Sequence, residues 1–164
     1  MSLTSLRQPV DEPESAAAFS ARLADISARL ASTAEHYDQS GEFPHENFHL
    51  LHEHGLLGLT VPVGLGGGGA DLPRALEVIK AVAKGEPSTA LVLVMQYIQH
   101  ARLQDSQQWP EHLRKKVALD AVDTGALINA LRVEPDLGTR AGGGLPGTSA
   151  RRTPQGWRSS GRKI

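Results

Sequence analysis

Two histidines and a glutamate lie at a spacing that could hold a metal ion. Residues 45–49 (H-E-N-F-H) fit the pattern H-E-x-x-H, in which histidines one helical turn apart bind zinc and the glutamate activates a metal-bound water for peptide hydrolysis. His52 continues the same stripe and could supply a third ligand. Pro44, however, forces His45 into the first turn of a short helix, where the backbone frays. We therefore favour a solvated histidine face and expect no metal site.

A glycine-rich segment matches a second motif. Residues 64–69 (G-L-G-G-G-G) fit G-x-G-x-x-G, which lets a pyrophosphate approach the backbone where a strand joins a helix. Pro62 breaks the end of the preceding segment, a second proline interrupts the helix start, and no series of alternating strands and helices follows. A plain flexible turn is the favoured interpretation.

The basic residues are concentrated at the end of the chain. Residues 1–136 carry 11 Lys/Arg against 18 Asp/Glu, whereas residues 137–164 carry 6 Lys/Arg and no acid. The basic residues of this tail are Arg140, Arg151, Arg152, Arg158, Arg162 and Lys163. They could bind nucleic acid through its phosphates, but only Trp157 offers a stacking face. We favour arginines on the wet side of a sheet and expect no nucleic-acid partner.

The composition excludes several further classes of site. The chain has no cysteine, so disulfides, thiol nucleophiles and cysteine–zinc sites are ruled out. The longest apolar run, residues 90–95, is far shorter than the roughly 20 residues of a membrane helix. We expect a soluble, cytoplasmic protein without a membrane partner. Aromatic residues make up only 4% of the chain, which favours packed helices over a β-sandwich.

The apolar spacing predicts five helices over about residues 13–123. The predicted helices cover about 13–36, 43–55, 71–85, 89–103 and 110–123, with 56–61 extended. Ser88 is the predicted N-cap of the fourth helix, which is apolar almost all round and should be buried at the centre of the domain. The first helix should bury one face, formed by Phe19, Leu23, Ile26 and Leu30. In the fifth helix, the residues expected to point inward are Leu113, Val117 and Ala121, and those expected in water are Arg114, Lys115 and Lys116.

The period changes from helical to alternating after Gly125. Residues 126–133, 148–152 and 157 onward are predicted strands, with a glycine-rich loop at 135–147 and a turn at 153–156. The printed sequence stops within the third strand, so we expect the natural polypeptide to continue, or this copy to be truncated. The expected organisation is a flexible 1–12, a helical domain at 13–123 and the beginning of a β domain at 124–164.

Four segments together resemble the acyl-CoA dehydrogenases. They are F-P followed by L-L-x-x-x-G-L-L-G-L-x-V-P and a Gly-Gly turn over 43–67, S-T-A-L-V-L at 88–93, E-P-D-L-G-T at 134–139, and G-W with G-x-K-I at 156–164. The resemblance spans nearly the whole chain after about residue 15. It implies a mainly α protein: an acyl-CoA dehydrogenase N-terminal-like helical domain followed by an incomplete β-sheet segment.

The resemblance also implies flavin-contacting residues. The loop from Glu134 to Thr139 matches the family's loop at the flavin and the substrate thioester, with Pro135 inside it. Gly138 would permit close backbone approach, and the Thr139 hydroxyl replaces a serine as donor. Val133 stands where the family commonly has a threonine, so only backbone contact with FAD can remain there.

Met95, Gln96 and Tyr97 lie where the family lines its acyl pocket. The resemblance therefore implies that they bind substrate, although from the residues alone a buried packing role is at least as expected. The family's catalytic carboxylate belongs to a C-terminal bundle, so no residue here is assigned as catalytic.

The implied function is the N-terminal portion of an FAD-dependent acyl-CoA dehydrogenase, which removes two hydrogens from an acyl-CoA thioester. Alone, this portion should be inactive and should not retain FAD. The family implies acyl-CoA as ligand and a homo-oligomer. The long Gly138–Gly147 loop keeps a flavin monooxygenase of the same fold open. A non-catalytic helical interaction module is the third alternative.

Overall fold

A computed structural model describes residues 14–104, 106–131, 133–135, 137 and 145–163. The chain divides into two compact units, residues 1–128 and 129–164. No helix within the described ranges is long and apolar enough to cross a membrane.

The described part of the first unit contains five α-helices, as predicted. They are α1 (Ala16–Ser40), α2 (His45–Glu53), α3 (Leu72–Gly85), α4 (Pro87–Gln104) and α5 (Glu111–Thr124), and a 3-10 turn (Val63–Leu65) lies between α2 and α3. The described residues of the second unit contain one antiparallel pair of strands, β1 (Ser149–Thr153) and β2 (Gly156–Ser160). The predicted class, mainly helical with a small sheet segment, is confirmed.

Helix α1 buries the predicted apolar face and is longer than predicted. The Ser15 hydroxyl accepts a hydrogen bond from the Ala18 N–H at 3.2 Å and caps the start of the helix. The helix continues past His36 to Ser40 and ends where Gly41 adopts the left-handed conformation, with φ of 67°. No residue between 36 and 40 breaks the helical ladder. The buried residues are Phe19, Leu23, Ile26 and Leu30.

The core is built by α3, which packs against α1 on one side and α4 on the other. The helices α1 and α3 lie in close contact at Gly85. A Cβ atom there would overlap the Ser27 carbonyl oxygen and lie 2.9 Å from Leu30 Cβ. Gly85 is therefore needed for the distance between these two backbones.

Residues 56–61 form turns, so the extended segment predicted there is wrong. The Leu59 N–H donates to the Leu56 carbonyl at 3.4 Å, and the Val61 N–H donates to the Gly58 carbonyl at 3.0 Å. Leu56, Leu57 and Val61 are almost completely buried. The apolar run thus reflects burial of successive turns beneath the helices.

The buried face of helix α5 agrees only in part with the prediction, which holds for Ala121. Ala118 and Ala121 are buried, but Leu113, predicted to point inward, is 38% exposed. Arg114, predicted to lie in water, turns inward instead, and its Nη1 donates to the Gln104 carbonyl at 2.8 Å. Trp109, just before the helix, is exposed.

The strand predicted over residues 126–133 is absent from the described residues 126–131 and 133. The backbone of residues 126–128 is hydrogen-bonded to the side chain of Gln96 instead of to a neighbouring strand. The Ile128 N–H donates to Gln96 Oε1 at 2.8 Å, and Gln96 Nε2 donates to the Ala126 carbonyl at 3.1 Å. An alternating apolar pattern is compatible both with backbone bonds to a neighbouring strand and with backbone bonds to a buried side chain.

The predicted hairpin is confirmed in the second unit. Strands β1 and β2 pair in a register that sets Arg151 opposite Arg158 and Arg152 opposite Trp157. Nearly every residue of the hairpin is exposed, and the Trp157 side chain is among them.

Candidate functional site

Helix α4 carries the three residues expected to bind substrate, and a buried carboxylate fixes its start. Glu86 accepts hydrogen bonds from the Ser88 N–H at 2.9 Å and the Thr89 N–H at 2.6 Å. Burial raises the pKa of Glu86, but the hydrogen bonds from Thr89 and Ser88 outweigh it and leave the pKa below its usual value. The predicted Ser88 cap is wrong, because the helix already begins at Pro87.

A second contact joins this helix start to α2. Asn47 Nδ2 donates to Thr89 Oγ1 at 3.0 Å, and the Thr89 hydroxyl donates in turn to Glu86. All three residues are buried. This polar chain holds the orientation of α4 relative to α2.

Gln96 faces the interior of the first unit. Its side chain is completely buried and bonds the backbone at Ala126 and Ile128. Gln96 Nε2 also lies 3.1 Å from His100 Nε2. Because an amide nitrogen only donates, His100 accepts this bond through Nε2 and is neutral, and burial lowers the pKa of His100.

Tyr97 is also turned inward. Its hydroxyl donates to the Leu56 carbonyl at 2.8 Å, and burial raises the pKa of the phenol. Gln96 and Tyr97 therefore face the 56–61 turns and the 126–128 segment. Of the three residues expected at the acyl pocket, Met95 alone reaches the surface.

The outward face of α4 is apolar and exposed. Leu91 is 67% exposed and Ile98 is 43% exposed, and helical spacing sets Met95 between them. We call Leu91, Met95 and Ile98 the outer stripe. The sequence prediction that α4 is buried on all sides is wrong for this stripe within the described chain. Hydropathy alone did not single out Leu91 and Ile98.

Glu134 organises the second unit. Its side chain is buried, accepts hydrogen bonds from the Gly147 N–H at 2.7 Å and the Thr148 N–H at 3.2 Å, and lies 2.5 Å from Lys163 Nζ. The Lys163 ammonium, helped by hydrogen bonds from Thr148 and Gly147, lowers the pKa of Glu134 to about 2. The structure thus brings together residues that are 29 positions apart in sequence.

The other residues expected to contact flavin are only partly described. Val133 and Pro135 flank Glu134 and offer no side-chain hydrogen-bond donor. Gly138 and Thr139 lie outside the described residues. Since the Glu134 carboxylate is already bonded within its own unit, its geometry suits it to fixing the loop rather than contacting a ligand.

The histidines of the H-E-x-x-H motif do not converge. His49 Nε2 pairs with Glu53 Oε1 at 3.1 Å, whereas His52 Nε2 donates to the Val122 carbonyl at 2.9 Å. Among the described residues, no group of three or more His, Asp or Glu side chains could hold a metal ion.

The glycine-rich turn uses its own backbone donors internally. The N–H groups of residues 66–69 donate to the carbonyls of Val63, Pro62, Gly58 and Val61, in that order. A pyrophosphate cradle needs such N–H groups to be free. These hydrogen bonds instead hold the glycine-rich turn against the backbone of residues 58–63.

Comparisons with known proteins agree on one family. The family described as "Acyl-CoA dehydrogenase, N-terminal domain" matches residues 14–105. The putative acyl-CoA dehydrogenase YdbM of Bacillus subtilis (strain 168) is 32% identical over 142 residues, which cover 87% of this chain and 37% of the relative. A dibenzothiophene monooxygenase of Mycolicibacterium goodii is 39% identical over 64 residues, covering 39% of this chain and 15% of the relative.

A solved structure has the same fold as this chain. The X-ray structure of KijD3 in complex with dTDP superposes with a TM-score of 0.73 at 29% identity, covering 93% of this chain and 38% of that one. The chain thus spans well under half the length of the proteins it matches.

Proposed function

Because the chain belongs to the acyl-CoA dehydrogenase family, we propose that it is the N-terminal portion of an FAD-dependent enzyme that dehydrogenates acyl-CoA thioesters. In that proposal the first unit is the N-terminal helical domain and the second is the opening of the middle β domain. The match of the family to residues 14–105 carries this proposal.

The first unit would supply one wall of the acyl pocket. The outer stripe supports this role, because an acyl chain needs an apolar surface and Leu91, Met95 and Ile98 provide one on a single helix face. Met95 would contact the acyl chain directly. Gln96 and Tyr97 would position α4 without touching the acyl chain, because their hydrogen bonds to backbone carbonyls fix the rotation of the helix.

The second unit would supply the loop at the flavin. Val133 would contribute its backbone N–H and carbonyl, Pro135 its carbonyl and Thr139 its hydroxyl. Glu134 holds the loop to Gly147 and Lys163. Bound FAD would supply the hydride acceptor of the reaction. The residues of this chain would orient the thioester and exclude water.

The chain alone should neither hold FAD tightly nor turn over acyl-CoA. The family's general base belongs to the part of the protein that lies beyond this chain's match. General base catalysis contributes about 10²–10⁴-fold, and the flavin would be gripped from one side. Acyl-CoA as substrate and a homo-oligomeric assembly remain part of this proposal for the whole protein.

A flavin monooxygenase of the same fold is the second candidate. The stretch that is 39% identical to a dibenzothiophene monooxygenase favours it. A binding role without chemistry is the third, because the outer stripe would also suit a partner helix.

A chimera separates these functions. Residues 1–164 would replace the matching part of the Bacillus subtilis relative, and the chimera would be compared with that relative for flavin absorbance, acyl-CoA-dependent dye reduction and oxygen uptake. We expect a yellow protein that reduces the dye with acyl-CoA. A Met95→Glu chimera should lose activity on long chains before short ones, because it places a charge on the apolar wall, whereas Glu46→Gln on the exposed side of α2 serves as control.

Two outcomes would contradict the proposal. The first is a chimera that binds FAD and consumes oxygen with small substrates but reduces no dye with acyl-CoA, while the relative does. The second is an isolated 164-residue chain that is itself yellow and active.

A further inference from the structure

A small cavity lies on the side of α4 opposite the outer stripe. It has a volume of about 240 Å³ and lies between the segment around Pro62, the C-terminal half of α4 and the start of α5. Helical spacing places His100, Leu103 and Gln104 about half a turn away from Leu91, Met95 and Ile98. The cavity is therefore separate from the proposed acyl wall.

The walls of the cavity are largely apolar. The apolar residues that line it are Val61, Pro62, Leu65, Leu103 and Ala118. Val61 is completely buried, and Leu103 and Ala118 are nearly so. The wall at Val61 is held in place, because the Val61 carbonyl accepts a hydrogen bond from the Gly69 N–H at 2.8 Å. A short aliphatic chain would be desolvated here.

A guanidinium group belongs to the lining of the cavity. It is that of Arg114, whose Nη1 donates to the Gln104 carbonyl at 2.8 Å, which fixes the side chain. A carboxylate that enters the cavity could form a charge-assisted hydrogen bond with this guanidinium, and such a bond is stronger than one between neutral groups.

Among the described residues that line the cavity, the charges leave a single positive charge. Lys115 Nζ lies 2.7 Å from Glu111 Oε1, so these two side chains largely neutralise each other. His100 is neutral, since its Nε2 accepts from Gln96. Arg114 is the remaining cation, and a monoanion would match it, whereas a phosphate dianion would carry one charge too many for this apolar space.

We propose that this cavity binds a small aliphatic monocarboxylate, with the carboxylate paired with the Arg114 guanidinium and the aliphatic chain between Val61, Leu65 and Leu103. The volume suits an acid of about four to eight carbons. This site is independent of the proposed acyl-CoA chemistry, because it uses the opposite face of α4.

The test is calorimetric titration of the 164-residue chain with straight-chain acids from acetate to octanoate, and with the alcohols of the same length. We expect one acid bound per chain, with affinity rising and then falling with chain length. The matched alcohol should bind at least about tenfold more weakly, because it cannot form the charge-assisted bond. Methyl signals of Leu103 and Ala118 should shift on binding in NMR spectra.

Three variants locate the site. Arg114→Met should weaken binding at least about tenfold, whereas Lys116→Met should change it less than about twofold. The second variant is the matched control, because Lys116 is on the same helix, pairs with Asp120 at 2.5 Å and does not line the cavity. Glu111→Gln should tighten binding about twofold or more, since it removes the negative charge at the rim.

Several results would overturn the proposal. They are an absence of binding for every acid up to about 10 mM, equal affinity for acid and alcohol, or equal losses in the Arg114 and Lys116 variants. If Arg114→Met does not fold, Glu111→Gln decides alone, and unchanged or weaker binding by that variant refutes the site.

Discussion

Replacing Gln96 by leucine tests whether this residue stabilises the fold or serves only to bind a ligand. Leucine has a similar volume and keeps the site apolar, but it removes every hydrogen bond that the amide makes. Three contacts of 3.1 Å or less are lost, with the Ile128 N–H, the Ala126 carbonyl and the His100 Nε2. The longer contact with the Leu57 carbonyl, at 3.4 Å, is lost as well. A ligand-binding residue that the free protein does not need would leave stability unchanged.

The expected loss follows from these three contacts. A buried group left without its hydrogen-bond partner costs about 1–3 kcal/mol. The 126–128 segment is only partly buried, so water can replace part of each lost bond, and the lower limit applies. Gln96→Leu should therefore lower the free energy of unfolding by about 3 kcal/mol.

Urea unfolding followed by far-ultraviolet circular dichroism measures this loss. Met95→Leu is the matched control, because it changes the neighbouring, partly exposed side chain and should cost less than about 1.5 kcal/mol. Hydrogen exchange adds a local readout: the Ile128 amide should exchange much faster in Gln96→Leu. A loss below about 1 kcal/mol, with the Ile128 amide still protected, would show that the reasoning about Gln96 is incorrect.

The remaining predictions concern backbone spacing and pH. Gly85→Ala should lower the free energy of unfolding by about 2 kcal/mol, because the added methyl group overlaps α1 at Ser27; Gly64→Ala, with no atom within 4 Å of the new methyl, should change it by less than about 1 kcal/mol in the same urea titration. The pKa of Glu134 is lowered from 4.5 to about 2, so the stability it contributes is complete above about pH 4.5 and is lost as the pH falls toward 2. NMR signals of the Gly147 amide should follow that transition in the wild type and not in Glu134→Gln, and a Gly147 signal indifferent to pH in the wild type would contradict the assignment.

Local patterns predicted the elements whose partners are close in sequence or repeat regularly. The four apolar residues of α1 recur at helical spacing and are buried as expected. The turn at 153–156 joins two strands as predicted. The order of the family's segments identified the family before any contact was known, and the match to residues 14–105 confirms it.

Sequence patterns gave wrong predictions where a side chain forms the hydrogen bonds that a neighbouring strand usually forms. They also gave wrong predictions where tertiary contacts decide which face of a helix is buried. Gln96 bonds the 126–128 backbone from 30 or more residues away, so the apparent strand there has no ladder. Arg114 turns inward to the Gln104 carbonyl, and Leu113, expected inside, is exposed, although Ala121 is buried as expected. Hydropathy correctly marked α4 as apolar, but it could not tell which residues the rest of this unit would cover.

The placement of the tryptophans has a practical consequence for optical spectroscopy. The chain has two tryptophans, and both are exposed, Trp109 in the first unit and Trp157 on the hairpin of the second. Their emission should be near that of solvated indole in the native protein and should change little when the helical core unfolds. Variants that keep one tryptophan each would give a separate fluorescent reporter for each unit, so that quenching by iodide could follow the hairpin without signal from the helices.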